Sequence, residues 1–165
     1  MRVFVLCSFL VFFSACGGGG GEATSVSGGQ ATPAPTVNLS SSSASVTLNT
    51  SVTITWSTTN ATSCTAAGAW SGSKSTSGSE DISISVAGDN SFSLSCTGSG
   101  GSRSASTTVE SYQFLNGIVV DGYIRGSDVF IDTNNNYTKD SGENATVTDY
   151  EGKFTNLKYS NGNLI

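Results

Sequence analysis

Val52-Thr53-Ile54-Thr55-Trp56-Ser57 and Phe92-Ser93-Leu94-Ser95-Cys96 decide the fold of this chain. Large apolar residues alternate with hydroxyl residues at a period of two. That is the pattern of a strand with one face in a core and the other in water. Working outward, Val46 and Leu48 alternate with Thr47 and Asn49. Ile82, Ile84 and Val86 alternate with Ser83 and Ser85. Ala105, Thr107 and Val109 close the series. Gly, Asn, Asp or Ser clusters bound each run, so the reading is several short antiparallel strands in an all-β sandwich. Cys96 shares its face with Phe92 and Leu94, and Trp56 shares the face of Val52 and Ile54, so both point inward.

Composition agrees. Only 12% of residues are charged and the net charge is −5. Ser, Thr, Asn and Gly supply the polar surface, as in extracellular β proteins. No basic stripe exists to neutralise phosphates, which argues against a nucleic-acid partner. The chain has no histidine, which removes Ser-His and Cys-His catalysis and the commonest zinc ligand. In the first domain no base is available to activate one of the many hydroxyls, and the chain shows no catalytic constellation, so the reading is not an enzyme.

The N-terminus reads as an address. After Met1-Arg2, residues Val3 to Phe13 are almost wholly apolar. The run is too short to span a bilayer, which takes about 20 residues, and has the form of a cleavable export signal. Phe13-Ser14-Ala15-Cys16 resembles the bacterial lipobox, with Phe13 where Leu is usual. The resemblance implies a signal peptide at 1–15 and lipidation of Cys16, hence attachment to the membrane through that lipid. A plain secretory signal cut near Ala15, or a hydrophobic anchor, is the alternative. Gly17 after the anchor cysteine resembles an outer-membrane sorting signal in organisms that have that membrane. Gly17–Gly21 and the Ser/Thr/Ala/Pro stretch up to Pro35 cannot bury enough surface to fold. Residues 16–35 therefore read as lipid anchor and disordered tether, with a mean reach of about 25 Å.

Of four cysteines, Cys7 lies in the signal and Cys16 takes the lipid. Cys64 and Cys96 remain as the only intradomain pair in an exported, oxidising setting, and a disulfide is expected. Two free buried thiols are the alternative.

The phrases Ser51–Cys64, then Trp70-Ser71-Gly72-Ser73-Lys74, then Ser91–Gly98 together resemble bacterial immunoglobulin-like repeats of exported and cell-surface proteins. The resemblance implies an immunoglobulin-like β-sandwich over 36–110, acting as a spacer or display module. Trp70 reads as a loop residue that caps the sandwich, or alternatively stacks on a sugar.

Most acidic residues follow Glu110. In Asp132-Thr-Asn-Asn-Asn-Tyr-Thr-Lys-Asp-Ser-Gly-Glu143, oxygen side chains stand at positions one, three, five, nine and twelve. They are Asp132, Asn134, Asn136, Asp140 and Glu143. Calcium takes six to eight oxygens, and this spacing resembles the EF-hand loop, in which the backbone carbonyl at position seven, here Thr138, also contributes. Tyr137 stands at position six, where a sharp turn favours Gly, and a left-handed non-glycine residue costs about 1–2 kcal/mol. An Asn-rich turn that binds nothing is the alternative. The flanks read as strands, not helices. The run from Gly126 to Phe154 resembles the calcium-bearing β-sandwich repeats of bacterial adhesins and carboxypeptidase-regulatory-like domains. By that resemblance Asp149 and Glu151 belong to a turn. Residues 113–165 read as a second β-sandwich module, incomplete because about 50 residues bury little surface, and the chain reads as a fragment of a longer surface protein.

The functional expectation is a lipid-anchored, calcium-stabilised stalk or adhesion protein, facing an extracellular protein or glycan. The alternatives are the accessory region of an exported hydrolase, or a glycan-binding module using Trp70 or Tyr137.

Overall fold

The computed structural model describes residues 31–120 and 124–165. The expected signal at 1–15, the anchor Cys16 and the tether as far as residue 30 lie outside the described residues. Every regular element described is a strand. In chain order they are β1 (Thr36–Ser41), β2 (Ser45–Thr47), β3 (Ser51–Thr59), β4 (Ser63–Gly68), β5 (Gly72–Lys74), β6 (Ser77–Ser83), β7 (Gly88–Gly98), β8 (Gly101–Ile118), β9 (Asp128–Asp132), β10 (Ala145–Val147), β11 (Lys153–Tyr159) and β12 (Asn163–Leu164).

The N-terminal strands make a two-sheet sandwich. One sheet has the order β1-β3-β6. The other runs β8-β7-β4-β5, with β2 added in parallel to β8. The chain changes sheet between β1 and β2, β2 and β3, β3 and β4, β5 and β6, and β6 and β7, while β4–β5 and β7–β8 are hairpins within one sheet. The register explains the composition. Val52, Ile54 and Trp56 from one sheet meet Cys64, Ala66, Phe92, Leu94, Cys96 and Val109 from the other, all buried. The alternate residues face out. Thr97 pairs with Ser102, Ser95 with Ser104, Ser93 with Ser106 and Ser91 with Thr108, so the outer face of β7 and β8 is a grid of hydroxyls. A sheet needs a polar outer face, and here hydroxyls supply it in place of charge.

The Trp56 and Trp70 ring centroids are 5.3 Å apart, edge to face, and Trp70 meets Phe92 likewise at 6.3 Å. Each indole N–H finds a carbonyl: Trp56 donates to Ser75 at 2.9 Å and Trp70 to Ser93 at 3.0 Å. Gly78 pairs with Trp56 across the ladder, and a Cβ there would lie 2.9 Å from the Trp56 ring. The indole occupies the space that a side chain at position 78 would need.

Cys64 and Cys96 are bonded. They are direct partners on the adjacent strands β4 and β7, with Cα atoms 4.1 Å apart. The bridge therefore lies within one sheet. In antibody domains the corresponding bond joins the two sheets.

The strand expected at Ile82–Val86 lies earlier, at Ser77–Ser83. Ile84 is buried but leaves the ladder, its N–H donating to Thr50 and its carbonyl accepting from Asn49. Val86 is 65% exposed in a turn that the Asn90 amide closes, by donating to the carbonyls of Val86 and Gly88.

β8 runs without a break across the composition change at 110–113. Its first half pairs with β7 and its second half, Gln113 to Ile118, with β11. Against β11 lies the sheet β10-β9-β12. A separate apolar cluster of Val129, Ile131, Phe154 and Leu157, backed by Leu115, Val119 and Tyr159, fills the space between. At the junction Lys158 of β11 reaches Glu110 of β8 at 2.8 Å and lies 4.4 Å from the Tyr112 ring centroid.

Candidate metal centre

The loop after β9 is organised by its first residue. Asp132 ends a strand whose side chains Val129, Phe130 and Ile131 are buried, and it is itself only 1% exposed. A buried carboxylate needs partners, and the loop wraps its backbone around this one. Oδ1 accepts from the N–H of Asn135 at 2.6 Å, Asn134 at 3.2 Å and Asn136 at 3.3 Å. Oδ2 accepts from Tyr137 at 2.9 Å. Burial pushes the Asp132 carboxyl upward. The N–H groups of Tyr137, Asn135, Asn136 and Asn134 outweigh it and hold the group below its ordinary value.

That wrapping forces the chain to turn sharply. Asn135 has φ 59° and Tyr137 also has φ 59°. Asn tolerates the left-handed region; Tyr does not. The departure from Gly at position six is thus a real conformational cost, and the Tyr137 ring stands 78% exposed with no packing to offset it.

The middle of the loop converges. Asn134 Nδ2 and Asn136 Nδ2 both donate to Asp140 Oδ2 at 2.8 Å. Asn134 Oδ1 accepts from Asn136 N–H, and Asn136 Oδ1 from Thr138 N–H. Positions three, five and nine are therefore gathered around one carboxylate oxygen. Glu143 closes the loop through backbone N–H groups. Its Oε1 accepts from the Thr133 N–H at 2.8 Å and its Oε2 from the Asp140 N–H at 3.1 Å. Thr138 follows Tyr137 in the turn, and its hydroxyl lies 3.5 Å from the Asn136 carbonyl.

The structure thus brings Asn134, Asn136 and Asp140 together, sets Asp132 at the base and holds Glu143 at the closing end. Among the described residues, no three carboxylates or thiols share one ligand cluster. The donor chemistry nevertheless fits a hard divalent cation. Every candidate ligand is an oxygen, and the two N–H donors on Asp140 occupy the place of positive charge beside a carboxylate. Asp149 belongs to the next turn, where its Oδ1 accepts from Glu151 and Lys153 N–H.

The sandwich holds a second concavity, an open cleft of about 300 Å³ lined by residues 37–40 of β1, 55–57 of β3 and Ala105 of β8. None of these groups exchanges a proton near neutral pH. Trp70, 5% exposed with its N–H engaged, is a core residue and offers no ring face to a sugar.

Comparison of the chain with models of known protein families finds no match, and no curated protein is significantly similar to it.

Proposed function

We propose that this chain is a non-enzymatic, lipid-anchored surface protein. In this reading the sandwich is a stalk and the loop Asp132–Glu143 takes calcium to stiffen the C-terminal half. The observation that carries the reading is the convergence of Asn134 and Asn136 on Asp140 above the buried Asp132 carboxylate. Such a loop has already met the conformational cost of a cation site, since its turns stand at φ 59°. Asp132, Asn134, Asn136, Asp140, Glu143 and the Thr138 carbonyl would hold the ion. The lipobox-like Phe13-Ser14-Ala15-Cys16 and the glycine run after it support anchoring. The lack of histidine removes Ser-His and Cys-His catalysis, which accords with a non-enzymatic role.

Calorimetric titration of the chain with calcium tests the metal. Three carboxylates and a strained sixth position predict a Kd of about 0.1–1 mM, in the range of extracellular modules. Asp140→Ala should abolish the heat. Magnesium should not substitute, because it demands a tighter octahedral shell. No heat at millimolar calcium removes the metal from this reading. Labelling with a radioactive fatty acid in a bacterial host tests the anchor, with Cys16→Ser as the control that must stay unlabelled.

A further inference from the structure

The paths by which tension would cross the two halves of this chain differ. In the first half the chain enters at β1 and leaves along β8. β2 lies parallel to β8, with Ser45 beside Glu110, Val46 beside Ser111 and Thr47 beside Tyr112. Two backbone bonds extend the contact: Glu110 N–H to the Ala44 carbonyl at 2.9 Å, and Leu48 N–H to the Tyr112 carbonyl at 2.7 Å. Pulling on the two ends draws β2 backward and β8 forward. Because the strands are parallel, they must slide, and every one of these bonds is loaded at once. β1 slides in the same sense along its six partners on β3.

The second half is built the other way. The chain enters at Gln113 of β8 and leaves at Tyr159 of β11, and these two residues are direct antiparallel partners. Opposed forces on one rung open it, then the next. The load falls on one bond pair at a time, along a ladder already interrupted between Phe154 and Leu157. β12, beyond it, holds to β9 at two ladder positions and through the reciprocal backbone bonds of Ile165 and Phe130, a short contact.

We propose that the chain is a two-stage mechanical tether. At low load the C-terminal half opens by unzipping β11 from β8, and at higher load the N-terminal sandwich holds by shear of the β2–β8 parallel pair. Lys158 ties the stages together. Its ammonium rests on Glu110 and on the Tyr112 ring, the β8 residues that pair with Ser45 and Thr47. Unzipping removes that cover without touching the sheared ladder. The Cys64–Cys96 bond lies outside both paths and limits how far the second stage can extend. The inference deepens the anchored-stalk reading, since an anchored stalk carries load, but its test needs neither lipid nor calcium.

The test stretches the full chain between handles on its two ends in a single-molecule force instrument, without calcium, where rupture reports the barrier along the pulling direction. Two ruptures are expected, the first at lower force. Reducing the disulfide should lengthen only the second, by about 110 Å, because it frees a segment of 32 residues at roughly 3.3–3.6 Å each. Moving the N-terminal handle to position 50, in the exposed turn after β2, makes the same pair peel from its Tyr112 end. The high-force rupture should then be lost with no change in the fold. One rupture only, lengthening of the first rupture on reduction, or a high force that survives the change of pulling point would each overturn the proposal. None of these outcomes bears on fatty-acid labelling of Cys16 or on calcium heat.

Discussion

Reducing the Cys64–Cys96 bond should lower stability by an amount the sequence separation sets. The cysteines are 32 residues apart. In the chain-entropy account, closing a loop of that length removes about 12 cal/mol/K from the unfolded ensemble, or about 3.7 kcal/mol at 25 °C. The native side adds little, because β4 and β7 are already paired at this rung and four rungs continue beyond it to Gly68 and Phe92. Breaking the bond therefore leaves the sheet registered and acts mainly on the unfolded chain. Urea unfolding followed by tryptophan fluorescence reads this directly, since Trp56 and Trp70 stack in the same core. With a denaturant slope of about 1.5–2 kcal/mol/M, the midpoint should fall by about 2 M on reduction. The slope itself should rise, because the uncrosslinked chain exposes more surface. The double variant Cys64→Ala/Cys96→Ala should fall further than the reduced protein, since it also leaves voids at two buried positions. A reduced protein whose midpoint moves by less than about 0.5 M would refute the reasoning. The bridge would then be offset by strain in the native sheet.

Two single sites and one pair of carboxyls give further outcomes. Ser111 is fully buried and its hydroxyl meets no partner among the described residues; Ser111→Ala should raise stability by about 1–2 kcal/mol in the same urea assay, and a loss would mean the hydroxyl is satisfied. Tyr137→Gly removes a left-handed penalty of about 1–2 kcal/mol and adds a glycine entropy cost of about 0.5–1, so it should gain about 0.5–1 kcal/mol and tighten calcium; weaker calcium heat would refute it. Acid should destabilise the fold. The hydrogen bond from Lys158 draws the Glu110 carboxyl below its ordinary 4.5 against the opposing pull of burial. Asp132 likewise lies below its ordinary 3.8. A carboxyl depressed by folding contributes fully above its unfolded value and loses that contribution as pH falls through the folded one. Thermal midpoints should therefore drop below about pH 4.5, and Lys158→Met should remove the Glu110 part of that slope.

The core was legible where apolar side chains alternate without interruption. Val52, Ile54, Trp56, Phe92, Leu94 and Cys96 all point where the period of two puts them. β6 was not, because its ladder residues Ser77, Gly78 and Ser79 carry no apolar signal. They pair because Gly78 leaves room for the Trp56 ring, a fact of packing that no local pattern encodes. β4 and β5 were silent for a similar reason, since only Cys64 and Ala66 turn inward on β4. Trp70 looked like a loop residue from its Gly and Ser neighbours, and the chain is indeed irregular there. Its burial comes from Phe92 and from the Ser93 carbonyl, both on a strand distant in sequence.

In the loop, spacing named the oxygens but not their division of labour. Sequence periodicity shows which side chains can face one point. It does not show that backbone N–H groups claim a carboxylate first. Asp132 is committed to four of them, and Glu143 to those of Thr133 and Asp140. Only Asp140 faces side-chain donors alone that a cation could displace. The loop is therefore shaped by its own backbone before any ion arrives. Calcium would not have to fold it, only to exchange two amide N–H contacts for metal–oxygen bonds and draw Glu143 inward. That makes Asp140→Asn the informative variant. It keeps the side-chain size and leaves the bonds that shape the turn through Asp132 and Glu143, while removing the charge on which the cation depends. If that variant keeps its fold and loses calcium heat, shape and affinity reside in different residues of one loop. If it loses both, the turn depends on Asp140 and the separation drawn from the hydrogen bonds is wrong.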